Sequence, residues 1–256
     1  MTTRLALTRP VSPAIVHCEL THLAREPIDV KVARDQHLAY EVALTSLGCT
    51  LVRVPEAPDL PDSVFVEDTA VVLDELAIIT HPGAPSRRAE LDGVADALAR
   101  YRALCWIQPP ATLDGGDVFV MERRIFVGRS GRTNADGIEQ LRTIVAPFQY
   151  EVHIVEQHDC LHLKTAASPV AAGTLLIHRD WVDTDAFREF ELIDIDREEP
   201  FAANAVLVGN DVICAAEFPR TREVLVRRGI SVTPVPASEL AKAEGGVTCC
   251  SIVFEP

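Results

Sequence analysis

The spacing of apolar and polar residues divides the chain into a few helices and many short strands. In "VARDQHLAYEVALTSLG", residues 32–48, Val32, Leu38, Val42 and Leu47 recur as one apolar side of a helix, and Gly48 stands where a helix C-terminus favours glycine. A second helix is expected from Ser86, taken as its N-cap, with Leu91, Val94, Ala95 and Leu98 as its buried stripe. Further helical patterns cover 135–145, 184–190 and 219–228, the last ending at Gly229. Runs rich in Val and Ile predict strands at 70–73, 76–80, 118–120, 124–128, 152–155, 174–178, 206–208, 212–215, 231–235 and 247–254. Strands and helices alternate, often two strands to a helix, which is an α/β pattern. No Ser/Gly-rich linker or long charge run interrupts it, so one domain over 1–256 is expected.

A slower rhythm overlies these elements. "FVEDTAVVL", "TLDGGDVFV", "LHLKTAAS", "FAANAVLVG" and "GVTCCSIVF" each set polar or small residues before or within an apolar strand. Asp68, Asp114, His162, Asn204 and Cys249 in these blocks are separated by 46, 48, 42 and 45 residues. Five such units around an axis would bring the five polar positions to one place. Ordinary recurrence of strands in an α/β protein accounts for the spacing equally well.

Composition narrows the function classes. The formal net charge is −14, which repels nucleic acid and anionic membrane surfaces and attracts a small cation. No apolar stretch approaches the length of a membrane span, and the opening "MTTRLALTRPVSP" forms no secretory core. The seven cysteines are odd in number and scattered, as expected of free thiols in a reducing cytoplasm. There is no GxSxG elbow, Walker A loop or GxGxxG, so nucleotide cofactors are not expected.

If the five positions converge, they place a thiol, an imidazole and carboxylates together. Cys with His is suited to covalent catalysis, because the thiolate is the nucleophile and the imidazole can move protons. Glu67, Asp68 and Asp114, with Asp62 and Asp117 near in sequence, would favour a cation such as a guanidinium, whose planar fork pairs with carboxylates. Each element also has an ordinary structural reading: a cysteine on a strand is usually a small buried hydrophobe, and "DGGD" is a common turn. "HDCLH" would put His158, Cys160 and His162 on one face of a strand, with His153 nearby, but no paired spacing completes a zinc site.

Taken together, "LPDSVFVEDTAVV", "PGAPSRR", "ATLDGGDVFV", "FVGRSGRTN", "LHLKTAAS", "AANAVLV" and "GGVTCCSIVF" resemble the dimethylarginine dimethylaminohydrolases of the pentein superfamily. The blocks extend from about residue 60 to the end. The resemblance implies a five-bladed α/β propeller with pseudo-fivefold symmetry. It implies hydrolysis of asymmetric dimethylarginine or monomethylarginine to citrulline and the methylamine through a covalent thiouronium. Implied roles are Cys249 as nucleophile, His162 as general acid/base and Asp114 as the carboxylate supporting it. Asp62, Glu67 and Asp68 would hold the guanidinium, Arg87 and Arg132 the α-carboxylate, and the backbone near Ala243 the α-amine. Leu20, within "CELTHLARE", is the candidate lid residue. No cofactor is implied, zinc is expected only as an inhibitor at Cys249 and His162, and the assembly would be a monomer or homodimer. Strand alternation would turn Cys250 away from the pocket. The competing readings are an arginine or agmatine deiminase, a noncatalytic pentein binding module, and a zinc-binding regulatory protein.

Overall fold

The structure, a computed structural model, describes residues 4–256, so the first three residues of the expected domain lie outside the described residues. In chain order the elements are β1 (Arg4–Thr8), α1 (Val30–Ser46), β2 (Cys49–Arg53), β3 (Ala70–Val72), β4 (Leu76–Ile79), α2 (Leu91–Leu98) and β5 (Ala103–Trp106). There follow β6 (Val118–Met121), β7 (Arg124–Arg129), α3 (Ala135–Val145), β8 (Glu151–Glu156), α4 (Leu163–Ala166), β9 (Ala167–Ala171), β10 (Thr174–Ile177) and β11 (Glu191–Asp194). The chain closes with β12 (Ala205–Val208), β13 (Asp211–Ala215), α5 (Pro219–Arg227), β14 (Ser231–Val235), α6 (Ser238–Ala241) and β15 (Ile252–Phe254).

These strands form five three-stranded sheets of one design. In each, a central strand pairs antiparallel with one neighbour and parallel with the other: β4 with β3 and β5, β7 with β6 and β8, β10 with β9 and β11, and β13 with β12 and β14. The antiparallel partner is reached by a tight turn, whereas the parallel one requires a crossover. The fifth sheet, β15-β1-β2, is assembled from both ends of the chain, with β15 as the antiparallel partner of β1. The buried apolar side chains accordingly divide into five clusters. The stripe Leu91, Val94, Ala95 and Leu98 of α2, for example, packs with Leu5, Leu7, Ile252 and Phe254.

A short turn precedes the first strand of each sheet, and the five polar positions sit on or beside these turns. They are the 3₁₀ turns Val66–Thr69, Gly115–Asp117 and Thr248–Cys250, the single helical turn α4, and the bend at 201–203. Hydrogen bonds link them in succession. Gly116 N donates to Asp68 Oδ1 at 2.9 Å, Leu163 N to Asp117 Oδ1 at 3.0 Å, Asn204 Nδ2 to Lys164 O at 3.3 Å, and Thr248 N to Asn204 Oδ1 at 3.0 Å. The Thr248–Cys250 turn packs back against Val66–Thr69.

Four local expectations are corrected. The strand expected over 247–254 is only β15, because Thr248–Cys250 follows the turn-before-strand design of the other sheets. "HDCLH" is a bent loop in which Asp159 takes a left-handed φ of 58°, so His158, Cys160 and His162 share no strand face. Ser86 is not a cap: it lies inside the 3₁₀ turn Pro85–Glu90 and donates its hydroxyl to Glu19 Oε1 at 2.6 Å. Finally, α1 turns Val32, Leu38 and Val42 to solvent and buries Gln36, His37, Tyr40, Glu41 and Leu44. That face meets polar groups. Gln36 bonds Ser238 and the Glu239 amide, Glu41 takes Thr8 and Arg53, and Tyr40 pairs with Ser251. Among the described residues, no helix is long and apolar enough to cross a membrane.

Candidate active site

Cys249 sits in the last of the five turns, where its Sγ accepts the Gly246 amide at 3.3 Å and lies 3.9 Å from Thr248 Oγ1. Asn204 fixes this turn from the side, donating to Thr248 Oγ1 at 2.9 Å while accepting the Thr248 amide. The neighbouring Cys250 is 1% exposed, with Sγ directed at Gly246 O at 3.5 Å. The two thiols therefore differ in surroundings because of a 3₁₀ turn, not because of strand alternation.

A small pocket joins Cys249 to Asp62, Asp68, Arg87, Arg132, His162 and Ala243, with Glu19, Phe65, Leu161, Glu244 and Gly245 completing its wall. Asp114 lies behind it, fully buried, and accepts from His162 Nε2 at 3.1 Å and from the Gly83 amide at 2.9 Å. His162 Nδ1 is 3.6 Å from Asp68 Oδ1. Gly116 permits this approach, since a Cβ there would lie 2.6 Å from both Asp68 Oδ1 and His162 Nδ1. Arg132 spans the mouth, its Nη2 donating to Thr21 Oγ1 at 3.0 Å and its Nη1 lying 3.9 Å from Asp114. Asp62 accepts the Glu19 amide at 3.1 Å.

Two of the expected residues are placed elsewhere. Glu67 lines a separate cavity of about 300 Å³, where Oε1 accepts Lys164 Nζ at 2.7 Å and the buried Oε2 has no hydrogen-bond partner. Leu20 packs, half-buried, against a core cluster rather than lining the pocket; Leu161 lines it instead. Arg87 does line the pocket, but it is 4% exposed and its guanidinium is engaged by Asp68, by Glu90 at 2.8 Å and by Phe65 O at 2.8 Å. Cys249 also lines a larger, mainly apolar cavity of about 320 Å³, together with residues including Leu23, Leu161, Phe201, Phe218, Ala237 and Val247.

Asp117, expected among the carboxylates of a cation site, does not line the pocket: it is fully buried and holds Ser130, Thr133 at 2.6 Å and the Leu163 amide, thereby fixing the turn after His162. Sequence reasoning missed two further groups. Lys164 and Glu244 stand beside residues already singled out, and proximity to them was the available signal.

The electrostatics follow from burial among charges. Burial alone would push the His162 pKa down, but Asp68, the hydrogen bond His162 donates to Asp114, and Asp117 outweigh it and raise the value to about 9. Burial alone would raise Asp68, but His162 and Arg87 bring it down to about 2. Burial, then Glu67 and Asp68, pushes the Cys249 thiol up to about 12, with the Gly246 amide acting in the opposite direction. At neutral pH the pocket thus holds an imidazolium and a neutral thiol. Asp68, Asp114 and His162 are close enough together to form a metal-ligand set, and Cys249 belongs to no such cluster among the described residues. In that set Asp68 already accepts Arg87 and Gly116, and Asp114 accepts Gly83 and His162.

The geometry has close counterparts. The arginine deiminase family model matches residues 54–214. A dimethylarginine dimethylaminohydrolase of Streptomyces coelicolor is 41% identical, covering 98% of this chain and 97% of its own. One of Pseudomonas aeruginosa is 36% identical, covering 91% and 92%. A solved dimethylarginine dimethylaminohydrolase, a histidine-to-glycine variant captured as an adduct with S-methyl-L-thiocitrulline, matches with a TM-score of 0.94 at 34% identity over 99% of this chain and 100% of that one. A cysteine-to-serine variant of the P. aeruginosa enzyme complexed with citrulline gives 0.94 at 33% identity over the same shares. The N-terminal domain of a cyanobacterial arginine dihydrolase shares the fold, with a TM-score of 0.86 at 20% identity over 99% and 98%. A thiol, an imidazole and carboxylates gathered by five turns, together with these likenesses along the whole chain, place the protein in the arginine deiminase and dimethylarginine dimethylaminohydrolase family, pentein-fold enzymes that are amidine hydrolases.

Proposed function

We propose that the protein hydrolyses N-methylated arginines to citrulline and dimethylamine or methylamine, and that its five sheets are blades set around one pseudo-fivefold axis in a single catalytic domain over 1–256. The observation that carries the functional reading is the pocket itself, in which Cys249, His162 and the carboxylates of Asp62 and Asp68 face one space closed by Arg132. The chain of hydrogen bonds from turn to turn supports the axial arrangement. All seven cysteines are free, which fits the cytoplasm.

With its pKa pushed up to about 12, the resting thiol is almost wholly protonated at pH 7 and a poor nucleophile. A bound guanidinium sets a positive charge against Sγ and favours the thiolate, the thiol's proton passing to solvent. Asp62 and Asp68 hold that guanidinium, and Arg132 holds the substrate's carboxylate by exchanging its contact with Thr21. Arg87 acts from behind as the counter-ion of Asp68 and Glu90. Sulfur then bonds to the guanidinium carbon. His162, protonated below its pKa of about 9, gives its Nδ1 proton to the departing amine as the C–N bond breaks. Water attacks the thiouronium carbon with His162 accepting a proton, the C–S bond breaks to release citrulline, and the departing thiolate takes a proton from solvent to restore the thiol. The main chain near Ala243 receives the α-amine.

The test is product analysis with dimethylarginine, monomethylarginine, arginine and agmatine. Citrulline with stoichiometric dimethylamine supports the reading. Ammonia released faster from arginine or agmatine than methylamines from their methylated counterparts would replace it with a deiminase.

A further inference from the structure

The segment 19–23 runs beside the pocket largely exposed, with only Leu20 half-buried, yet it is tied down at four points. Glu19 N bonds Asp62, Glu19 Oε1 accepts Ser86, and Thr21 Oγ1 accepts Arg132. The fourth tie is the densest. The Glu244 carboxylate accepts the amides of three successive residues: Thr21 at 2.9 and 3.0 Å, His22 at 2.5 Å and Leu23 at 2.6 Å. Three consecutive N–H groups converging on one anion form a nest, and bonds to a charged acceptor are the stronger kind.

The backbone at Glu244 shows what this contact requires. Its φ is +57°, a left-handed conformation that glycine or asparagine adopts more readily than a long side chain. The adjacent Gly245 packs closely on the Phe65 ring, from which a Cβ there would lie 2.1 Å. One residue further on, the Gly246 amide donates to Cys249 Sγ. A single side chain therefore connects the segment over the pocket to the loop that carries the thiol's amide donor.

We propose that Glu244 is a positioning residue: its carboxylate clasps residues 21–23 over the pocket, sets the access of solutes to Cys249, and keeps the segment in place when Arg132 leaves Thr21 for the substrate's carboxylate. This rests on the functional reading above only for the substrate used in one arm of the test.

Two variants, Glu244→Ala and Glu244→Asp, test it. The first removes the acceptor; the second keeps the charge but falls short by one methylene, and it stands in if the alanine variant fails to fold. Cys249 alkylation by iodoacetamide, followed by peptide mass spectrometry so that the other six cysteines are read separately, should accelerate about tenfold or more in both, the scale set by one charged hydrogen bond. KM for dimethylarginine should rise by a similar factor while kcat changes less, and the melting temperature should stay near that of the parent. Unchanged alkylation and unchanged KM in either folded variant would overturn the clasp. If the parent protein hydrolyses no methylated arginine, the functional reading fails, whereas the alkylation comparison still decides whether Glu244 controls access to the thiol.

Discussion

At the centre of the protein Asp68, Arg87, Asp114, Asp117 and His162 are all 5% exposed or less, while on the outer side of α1 Leu38 and Val42 are more than half exposed. The two regions invert the usual placement of charge and oil for different reasons. A buried charge is tolerable only when paired and hydrogen-bonded, and each central group has partners on a neighbouring turn. An exposed leucine or valine needs no such compensation, because much of any protein surface is apolar. The centre is thus constrained by its chemistry and the rim hardly at all, and substitutions should separate them.

The largest effect belongs to the two adjacent cysteines, which test the centre at one-residue resolution. Cys249→Ser should abolish turnover, since an alcohol replaces the only thiol among the described residues that faces both cavities. Cys250→Ser should keep most of it, because that side chain packs against Gly246 O and the core. Steady-state release of citrulline checks both, and the reverse pattern would move the nucleophile.

Next comes the buried ion-pair network. Arg87→Met leaves Asp68 and Glu90 without their common partner and should cost about 3–5 kcal/mol in urea unfolding. Arg88, which among the described residues bonds only Pro82 O, should tolerate the same change within about 0.5 kcal/mol. Arg132→Met should instead act on KM, raising it for dimethylarginine far more than for dimethylguanidine, which lacks the carboxylate. A small stability cost at Arg87 together with a large KM effect there would make it a substrate ligand rather than a counter-ion.

How much of this was legible depends on whether the signal was local. The five-unit rhythm survives because each unit repeats the same local order of polar turn, strand and hairpin partner, so Asp68, Asp114, His162, Asn204 and Cys249 could be located from spacing. Of the five parallel partners, β8 and β14 are Val-rich enough to be expected at 152–155 and 231–235, whereas β2, β5 and β11 lack such a run and have no counterpart among the expected strands. β1 escaped because its antiparallel partner, β15, is at the other end of the chain. Glu67 and Asp68 are neighbours in sequence but face different cavities, a distinction set by the 3₁₀ turn they share. The burial of Gln36, His37 and Glu41 depends on Ser238, Thr8 and Arg53, and no periodicity within α1 reports those partners.

The centre should also respond to pH in a way the rim does not. The folded-state pKa of His162, about 9, lies above its ordinary value of 6.5, so its stabilising contribution is complete below pH 6.5 and is lost as pH rises through 9. Asp68, at about 2 against 3.8, contributes above pH 3.8 and loses that contribution as pH falls towards 2. Urea midpoints should therefore decline between pH 6.5 and 9, and His162→Gln should flatten that decline. A variant with the parent's slope would mean that the imidazole titrates alike in the folded and unfolded chains.

The smallest effect is expected at the rim, and its smallness is what completes the contrast. Leu38 and Val42 are one helical turn apart on the exposed side of α1, and lysine has a better helix propensity than valine. Leu38→Lys and Val42→Lys should therefore each stay within about 0.5 kcal/mol of the parent, with no change in turnover. Leu44, fully buried six residues beyond Leu38 on the same helix, supplies the scale: Leu44→Ala should cost about 2–5 kcal/mol through lost burial and a residual cavity. Urea unfolding and size-exclusion chromatography of the three variants would be read together. A loss at Leu38→Lys or Val42→Lys approaching that at Leu44, or a smaller particle than the parent's, would show that this side of α1 is covered by a second surface and that its apolar residues are not incidental.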